Sequence, residues 1–328
     1  MRLMPYCKRA LAVLMFQLLV SLFLGSVAFA QNSWPTKAVK IVVPYAAGGT
    51  ADLLGRLLSE QLSGVYKHNF YTENKPGVGG TVGSLAVSKA PADGYTLLIS
   101  GIGSHVIGPL MSATGFDPML DFSHIAILGG PPVVFVVSAD LPVKDLKGFL
   151  FYANRQRSGI SWGSPGQGTH GHLMGALFMA STTLKDFVHV GYKGGAPAMV
   201  DLSGGHIQAA FVTYSAAHAH IRAGKVRALA VSAMRRMSDL KDVPTFAELG
   251  YPELTASTWF ALSGPRDLSI EWVDQLNQHV RRAFMHPGTR KILAAEGIES
   301  YDFGPSGVVN FLEAETLRWG PLIRALDK

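Results

Sequence analysis

The 328-residue chain has a single cysteine, Cys7, so no disulfide can close within it. Cys7 also lies too early to be a lipid-bearing cysteine at a processing point, and once the N-terminal segment is removed no thiol remains. A protein without disulfides depends on its core alone, and about 300 residues supply one, usually divided into two lobes. Charge is sparse as well, at 16% of residues, and no block of one sign occurs. The densest basic pairs, Arg155/Arg157 and Arg235-Arg236, read as solvated helix ends, and no nucleic-acid partner is expected. No apolar run of spanning length follows residue 30. Low-complexity tracts and alignable internal repeats are also missing.

The first thirty residues carry what the rest lacks. Arg2, Lys8 and Arg9 precede an apolar run from Ala10 to Phe29, interrupted only by Gln17, Ser21, Gly25 and Ser26. Ala28-Phe-Ala30 then offers a small-x-small cleavage pattern, with Gln31 as the new N-terminus. The run could also serve as an uncleaved anchor. The cleavage pattern and the polar Gln31-Asn-Ser33 favour removal after Ala30, and the periplasm as destination. The net charge of +6 falls to +3 without the three basic residues of this segment.

From Trp34 onward, short β-branched runs alternate with helical patterns. Strands are expected at 39–43, 70–71, 95–100, 122–128, 133–137, 160–162 and 188–190, and helices at 51–63, 83–90, 146–155 and 173–179. Such alternation implies an α/β fold with mainly parallel sheets. Gly129-Gly-Pro-Pro132 and the stretch from Pro252 to Thr258 are the two candidate crossings between lobes. They divide the chain into lobe 1, residues 31–131 and 256–328, and lobe 2, residues 132–255. A hinge of two crossing strands would let the lobes close on a ligand.

Two glycine-rich turns start helices. In Pro44-Tyr-Ala-Ala-Gly-Gly-Thr-Ala-Asp52, Gly48 and Gly49 let the backbone approach a guest, and the helix that follows presents unpaired N–H groups and its positive dipole end. That is an anion site, or else a plain turn in which Asp52 faces the dipole. Tyr45, Ala46 and Thr50 belong to the same turn. The second segment, Ile160 to His172, repeats the order of strand, loop and helix, with Ser164, Pro165, Gly168, Thr169 and His172 as its site candidates. Neither turn holds Lys or Arg, so a bound carboxylate would rest on backbone N–H groups, hydroxyls and water. A third segment, Tyr192-Lys-Gly-Gly-Ala-Pro-Ala-Met-Val-Asp201, has the same form; Tyr192 could cover a ligand, and Asp201 could orient an amine or be structural. Tyr45, Trp162, Tyr192 and Trp259 near a cleft would suit an aromatic acid, though each could equally be a packing residue.

Rival motifs are weaker. Gly166-Gln-Gly-Thr-His-Gly171 matches a dinucleotide fingerprint, but its acid, Asp186, precedes the next strand instead of ending it. No cofactor is expected. His170/His172 and His218/His220 are spaced by two and belong to no zinc-helix pattern, so no metal is expected. An exported hydrolase using Ser164, with His170 or His172 nearby, is the enzymatic alternative. It departs from the G-x-S-x-G elbow by one position and has no acid assigned to the histidine.

Several long segments resemble one family in the same order: PYAAGGTADLLGR, SPGQGTHGHL, YKGGAPAMVDLSGGHIQAAF, AGKVRALAVSA, DVPTFAELGYPELTASTWFAL and Glu315-Thr-Leu-Arg-Trp319. The chain is similar over its whole mature length to the solute-binding receptors of tripartite tricarboxylate transporters, the Bug-type receptors. The resemblance implies a type II periplasmic-binding-protein fold, no enzymatic activity, and a ligand carboxylate held by the turns at Tyr45 to Asp52 and Ser164 to His172, partly through water. It implies a small organic acid as ligand: a di- or tricarboxylate, an acidic amino acid or an aromatic acid. The protein is expected to be a monomer serving integral-membrane permease subunits, or else a sensory receptor presenting its closed form to a signalling partner. Two departures stand out. Leu173-Met-Gly-Ala-Leu-Phe178 has Ala where the family often has Glu, and Gly191 precedes Tyr192 where the family often has Pro.

Overall fold

The computed structural model describes residues 34–156 and 159–326; the basic segment, apolar run and cleavage point expected before Gln31 lie outside these residues. The described residues from Lys37 onward form one compact unit. Within it are two five-stranded sheets. The first has the order β2-β1-β3-β10-β4 and the second β7-β6-β8-β5-β9. The first sheet is built from β1 (Val39–Val43), β2 (Phe70–Asn74), β3 (Thr96–Gly101), β4 (Phe122–Gly129) and β10 (Phe260–Pro265). The second uses β5 (Val133–Ser138), β6 (Ile160–Ser164), β7 (Phe187–Gly191), β8 (Ala209–Thr213) and β9 (Val226–Val231). The α/β fold expected from the sequence is therefore present, with the two lobes each carrying one sheet.

The sheets are mainly parallel, with one reversed strand each: β1 runs parallel to β2 and β3, and β6 to β7 and β8, while β10 and β5 run antiparallel to both their neighbours. The cause is the crossing itself. β4 ends at the cleft, so β5 enters the second sheet from the cleft side and must run away from it. β9 ends at the cleft, and β10 re-enters the first sheet in the same reversed sense. The two crossing segments lie side by side. Pro132 bridges Ser257 in antiparallel fashion, and the Thr258 N–H donates to the Pro131 carbonyl at 3.0 Å. We propose that the lobes divide within these paired segments, at 131/132 and 255/256.

Each sheet is sealed by helices with an apolar stripe. The helix Thr50–Tyr66 buries Leu54, Leu57, Leu58 and Leu62 at helical spacing, while Leu53 is half-buried. Burying each leucine contributes about 1.5–3 kcal/mol. The second lobe has an aromatic core in which Phe135 stacks on Phe211 with centroids 4.6 Å apart, and Phe149 meets Phe135 edge-on at 5.0 Å. No helix among the described residues is long and apolar enough to cross a membrane.

Candidate functional site

A cavity of about 50 Å³ lies where the ends of the two sheets meet, and its walls come from both lobes and the returning crossing. Lobe 1 contributes Tyr45, Gly49, Thr50, Ala51, Ile102, Gly103 and Phe260; lobe 2 contributes Pro165, Thr169, His170, Gly171, Gly195 and Thr213; Thr258 comes from the returning crossing. The space is small, with room for a few waters.

The walls are helix beginnings. Gly49 is the N-cap of the helix Thr50–Tyr66, Thr169 of His170–Ala180, Gly194 of Gly195–Ser203 and Thr213 of Tyr214–Arg222. Each helix presents its first N–H groups, which have no partner within the helix, and the positive end of its dipole. Only Thr169 caps with its side chain, accepting from the His172 N–H at 3.3 Å; Gly49, Gly194 and Thr213 supply no side-chain cap. Four positive helix ends thus converge on one small space, and no Lys, Arg, Asp or Glu is among its lining residues. This is a binding environment for an anion made of dipoles and hydroxyls.

The lobes touch directly around the cavity. The Thr50 hydroxyl bonds the Thr213 hydroxyl at 2.8 Å and also meets the Ser215 hydroxyl. The Ala46 N–H donates to the Lys193 carbonyl at 2.8 Å. Gly48 and Gly168 lie at this seam: a Cβ on Gly48 would meet the Ala196 methyl, and one on Gly168 would meet Gly108, each at 3.4 Å. Those are ordinary contacts; what favours glycine at both positions is the left-handed backbone, with φ of +84° and +75°.

Asp52 takes the structural side of its two readings. Its carboxylate is buried and accepts from the Gly48 N–H at 3.0 Å, Arg56 Nε at 2.9 Å and Asn74 Nδ2 at 2.9 Å. Burial alone would raise its pKa, but the bonds from Arg56, Gly48 and Asn74 outweigh that and hold it below the ordinary value. A lowered folded-state pKa means that Asp52 stabilises the protein fully above the ordinary carboxylate value of about 3.9, and that this stabilisation is lost as pH falls below it toward the folded value. Asp52→Asn should therefore cost about 2 kcal/mol at pH 7. In urea unfolding across pH 7 to 3, the gap to the wild type should narrow at the acidic end; a gap independent of pH would contradict this role.

The second turn is braced by its own side chains. Ser164 is fully buried, and its hydroxyl bonds His189 Nε2 at 2.7 Å and lies 3.2 Å from the Gly166 carbonyl. The histidine beside Ser164 is thus His189, and not His170 or His172, and no carboxylate is among the hydrogen bonds of Ser164. Burial, followed by the charge of nearby His172, lowers the His189 pKa to about 4. The Gly168 N–H points to His172 Nδ1 at 3.4 Å, and Thr169 donates to the Gly166 carbonyl at 2.6 Å.

Of the residues expected from the sequence, Tyr45, Gly49, Thr50, Pro165 and Thr169 line the cavity. Ala46, Gly48, Asp52, Ser164, Gly168 and His172 shape the two turns behind it. Tyr192 and Asp201 meet each other instead, with the Tyr192 hydroxyl donating to Asp201 Oδ2 at 2.7 Å. Neither belongs to the lining. Trp162 and Trp259 are buried packing residues, and Phe260 takes the place at the cavity wall. Thr213 and Gly103 escaped notice because those turns carry no glycine pair. The signal available was a strand ending directly in a helix, as at β8 and Tyr214–Arg222.

Residues 54–328 match the family model described as the tripartite tricarboxylate transporter family receptor. Protein BugT of Bordetella pertussis is 30% identical over 295 residues, covering 89% of this chain and 90% of that protein. An R. palustris protein solved with adipate is 32% identical, with a TM-score of 0.86 over 90% of this chain and 98% of that one. MatC from Rhodopseudomonas palustris, solved with bound malate, is 27% identical, with a TM-score of 0.84 over 88% of this chain and all of that one.

Proposed function

The chain belongs to the tripartite tricarboxylate transporter receptor family, and from that premise we propose that it captures a small organic carboxylate in the cleft between its lobes. The observation that carries this reading is the convergence of four helix N-termini on a cavity without a charged side chain. Each charge-assisted hydrogen bond from such a donor contributes about 1.5–3 kcal/mol. Three or four of them, less the cost of ordering, give about −8 kcal/mol, or micromolar affinity. The carboxylates in the two R. palustris relatives support the same ligand class.

The protein acts in the periplasm as a monomer, handing its ligand to integral-membrane permease subunits, and leaves that ligand chemically unchanged. Calorimetry against mono-, di- and tricarboxylates and aromatic acids tests the central claim. At least one should bind at about micromolar Kd and be recovered intact. Tighter binding of neutral solutes, with every carboxylate weaker than millimolar, would sink it.

A further inference from the structure

A second space lies at the other end of lobe 2. It is a groove of about 480 Å³, within the about 300–1,000 Å³ of small-molecule sites, and its walls include Asp140, Val200, Ser203, His220 and Lys225. The helices Gly195–Ser203 and Tyr214–Arg222 lead to it from the cleft: Gly195 and the cap Thr213 line the cleft cavity, whereas Ser203 and His220 line the groove. Nine helical residues, at about 1.5 Å apiece, put the two spaces about 13 Å apart. The groove therefore faces the negative ends of two helix dipoles, where the cleft faces positive ones. Asp140 and Lys225 are exposed, and neither joins an ion pair among the described residues. The Ser203 hydroxyl meets His220 Nδ1 at 2.8 Å, which holds that ring at the wall. Burial, followed by the charges of Lys225 and His218, lowers the His220 pKa, so the ring is neutral at pH 7. Val200, 63% exposed, adds an apolar surface.

We propose that this groove is a second binding site, for a small zwitterion that carries both an ammonium and a carboxylate group. Its ammonium group fits Asp140 and the carbonyl ends of the two helices, and its carboxylate fits Lys225. Ser203 and the neutral His220 exchange hydrogen bonds with either group. A lone anion would meet Asp140 and two negative helix ends, and a lone cation would meet Lys225. One molecule with both charges incurs neither repulsion. A divalent metal ion is a poor occupant, because Asp140 is the only carboxylate in the wall and Lys225 repels it. The site shares no residue with the cleft cavity, so it stands apart from the carboxylate reading above. Exposed charges contribute little each, which sets a weak affinity.

Calorimetry on the full mature chain with glycine, β-alanine and 4-aminobutyrate varies the spacing between the two charges. The cleft is first saturated with the carboxylate that binds it best, because its dipoles also accept an amino acid's carboxylate. At least one zwitterion should bind with a Kd of about 1 mM, and propylamine and propionate about tenfold more weakly or worse. Asp140→Asn and Lys225→Gln should each weaken that zwitterion by about threefold, and the double variant by about tenfold, with cleft affinity unchanged. Both side chains are exposed, so the variants keep the fold. Zwitterion binding that a saturated cleft abolishes, and that the variants leave intact, would belong to the cleft and overturn the proposal. So would equal binding of propylamine or propionate, or no zwitterion binding below about 10 mM. If no carboxylate binds the protein at all, the cleft reading fails, and the groove variants still decide this one.

Discussion

Replacing Gly79 by alanine is expected to weaken ligand binding by about a hundredfold while leaving both sheets folded. Gly79 lies in the short 3-10 turn Val78–Gly80, which reaches from lobe 1 to the second glycine turn of lobe 2. Its φ is +60°, and a Cβ there would overlap the Gln167 carbonyl oxygen across the seam. The left-handed backbone costs a non-glycine residue about 1–2 kcal/mol. The overlap is with main chain, so no side-chain rotation relieves it. The turn cannot easily retreat either, because the Tyr45 hydroxyl donates to the Gly79 carbonyl at 3.0 Å. The closed form is therefore what suffers. A penalty of about 3 kcal/mol on closure lowers apparent affinity by about a hundredfold, since only the closed fraction grips the ligand. Calorimetry should show that loss, and the unfolding midpoint should move little. Wild-type affinity in Gly79→Ala would mean that the turns need not meet for capture.

The largest loss of stability is expected from Glu315→Leu. One carboxylate oxygen of this buried residue accepts from two indoles, Trp259 Nε1 at 2.8 Å and Trp319 Nε1 at 3.0 Å. Arg318 lies 3.7 Å from the other oxygen. Trp259 precedes β10 directly after the returning crossing, while Glu315 and Trp319 belong to the helix Pro305–Leu326. The carboxylate thus ties the C-terminal helix to the hinge. Leucine would leave two buried N–H donors without an acceptor, at about 1–3 kcal/mol each, for a total of about 4 kcal/mol. Glu315→Gln keeps a carbonyl acceptor and should lose less than half of that. Urea unfolding of both variants distinguishes an acceptor role from mere packing; equal losses would favour packing.

The sequence was most legible where chemistry and periodicity coincide. The buried strand at 39–43, the leucine stripe after it and the glycine turn between them were all readable because each rests on local rules. The single reversed strand in each sheet was not. Whether β5 and β10 run with or against their neighbours depends on which end of the sheet the chain enters, and that is set by crossings far apart in sequence. The site was readable at its turns and obscure between them. Gly49, Thr50 and Thr169 announce a helix start, whereas Ile102, Thr258 and Phe260 reach the cavity only because the crossings fold back beside β3. Tyr192 and Asp201 show the converse case: two polar residues in a promising loop bond one another, which is the structural alternative open to Asp201. From the sequence His170 reads as half of a spaced histidine pair or as a neighbour of Ser164, because its partner, Thr258, lies 88 residues away.

The cavity that holds no Lys or Arg in its wall also shapes how the protein responds to its surroundings. A pocket lined with mobile cations attracts anions over long distances, and dissolved salt weakens that attraction within a Debye length of about 10 Å at 0.1 M. Helix ends fixed in a closed space act only on contact, where no ions intervene. The grip on the ligand is accordingly set by contact with fixed dipoles and depends little on ionic strength once the lobes have shut. A receptor bathed in the changing salt of its environment keeps its grip through swings in osmolarity that would loosen a basic pocket.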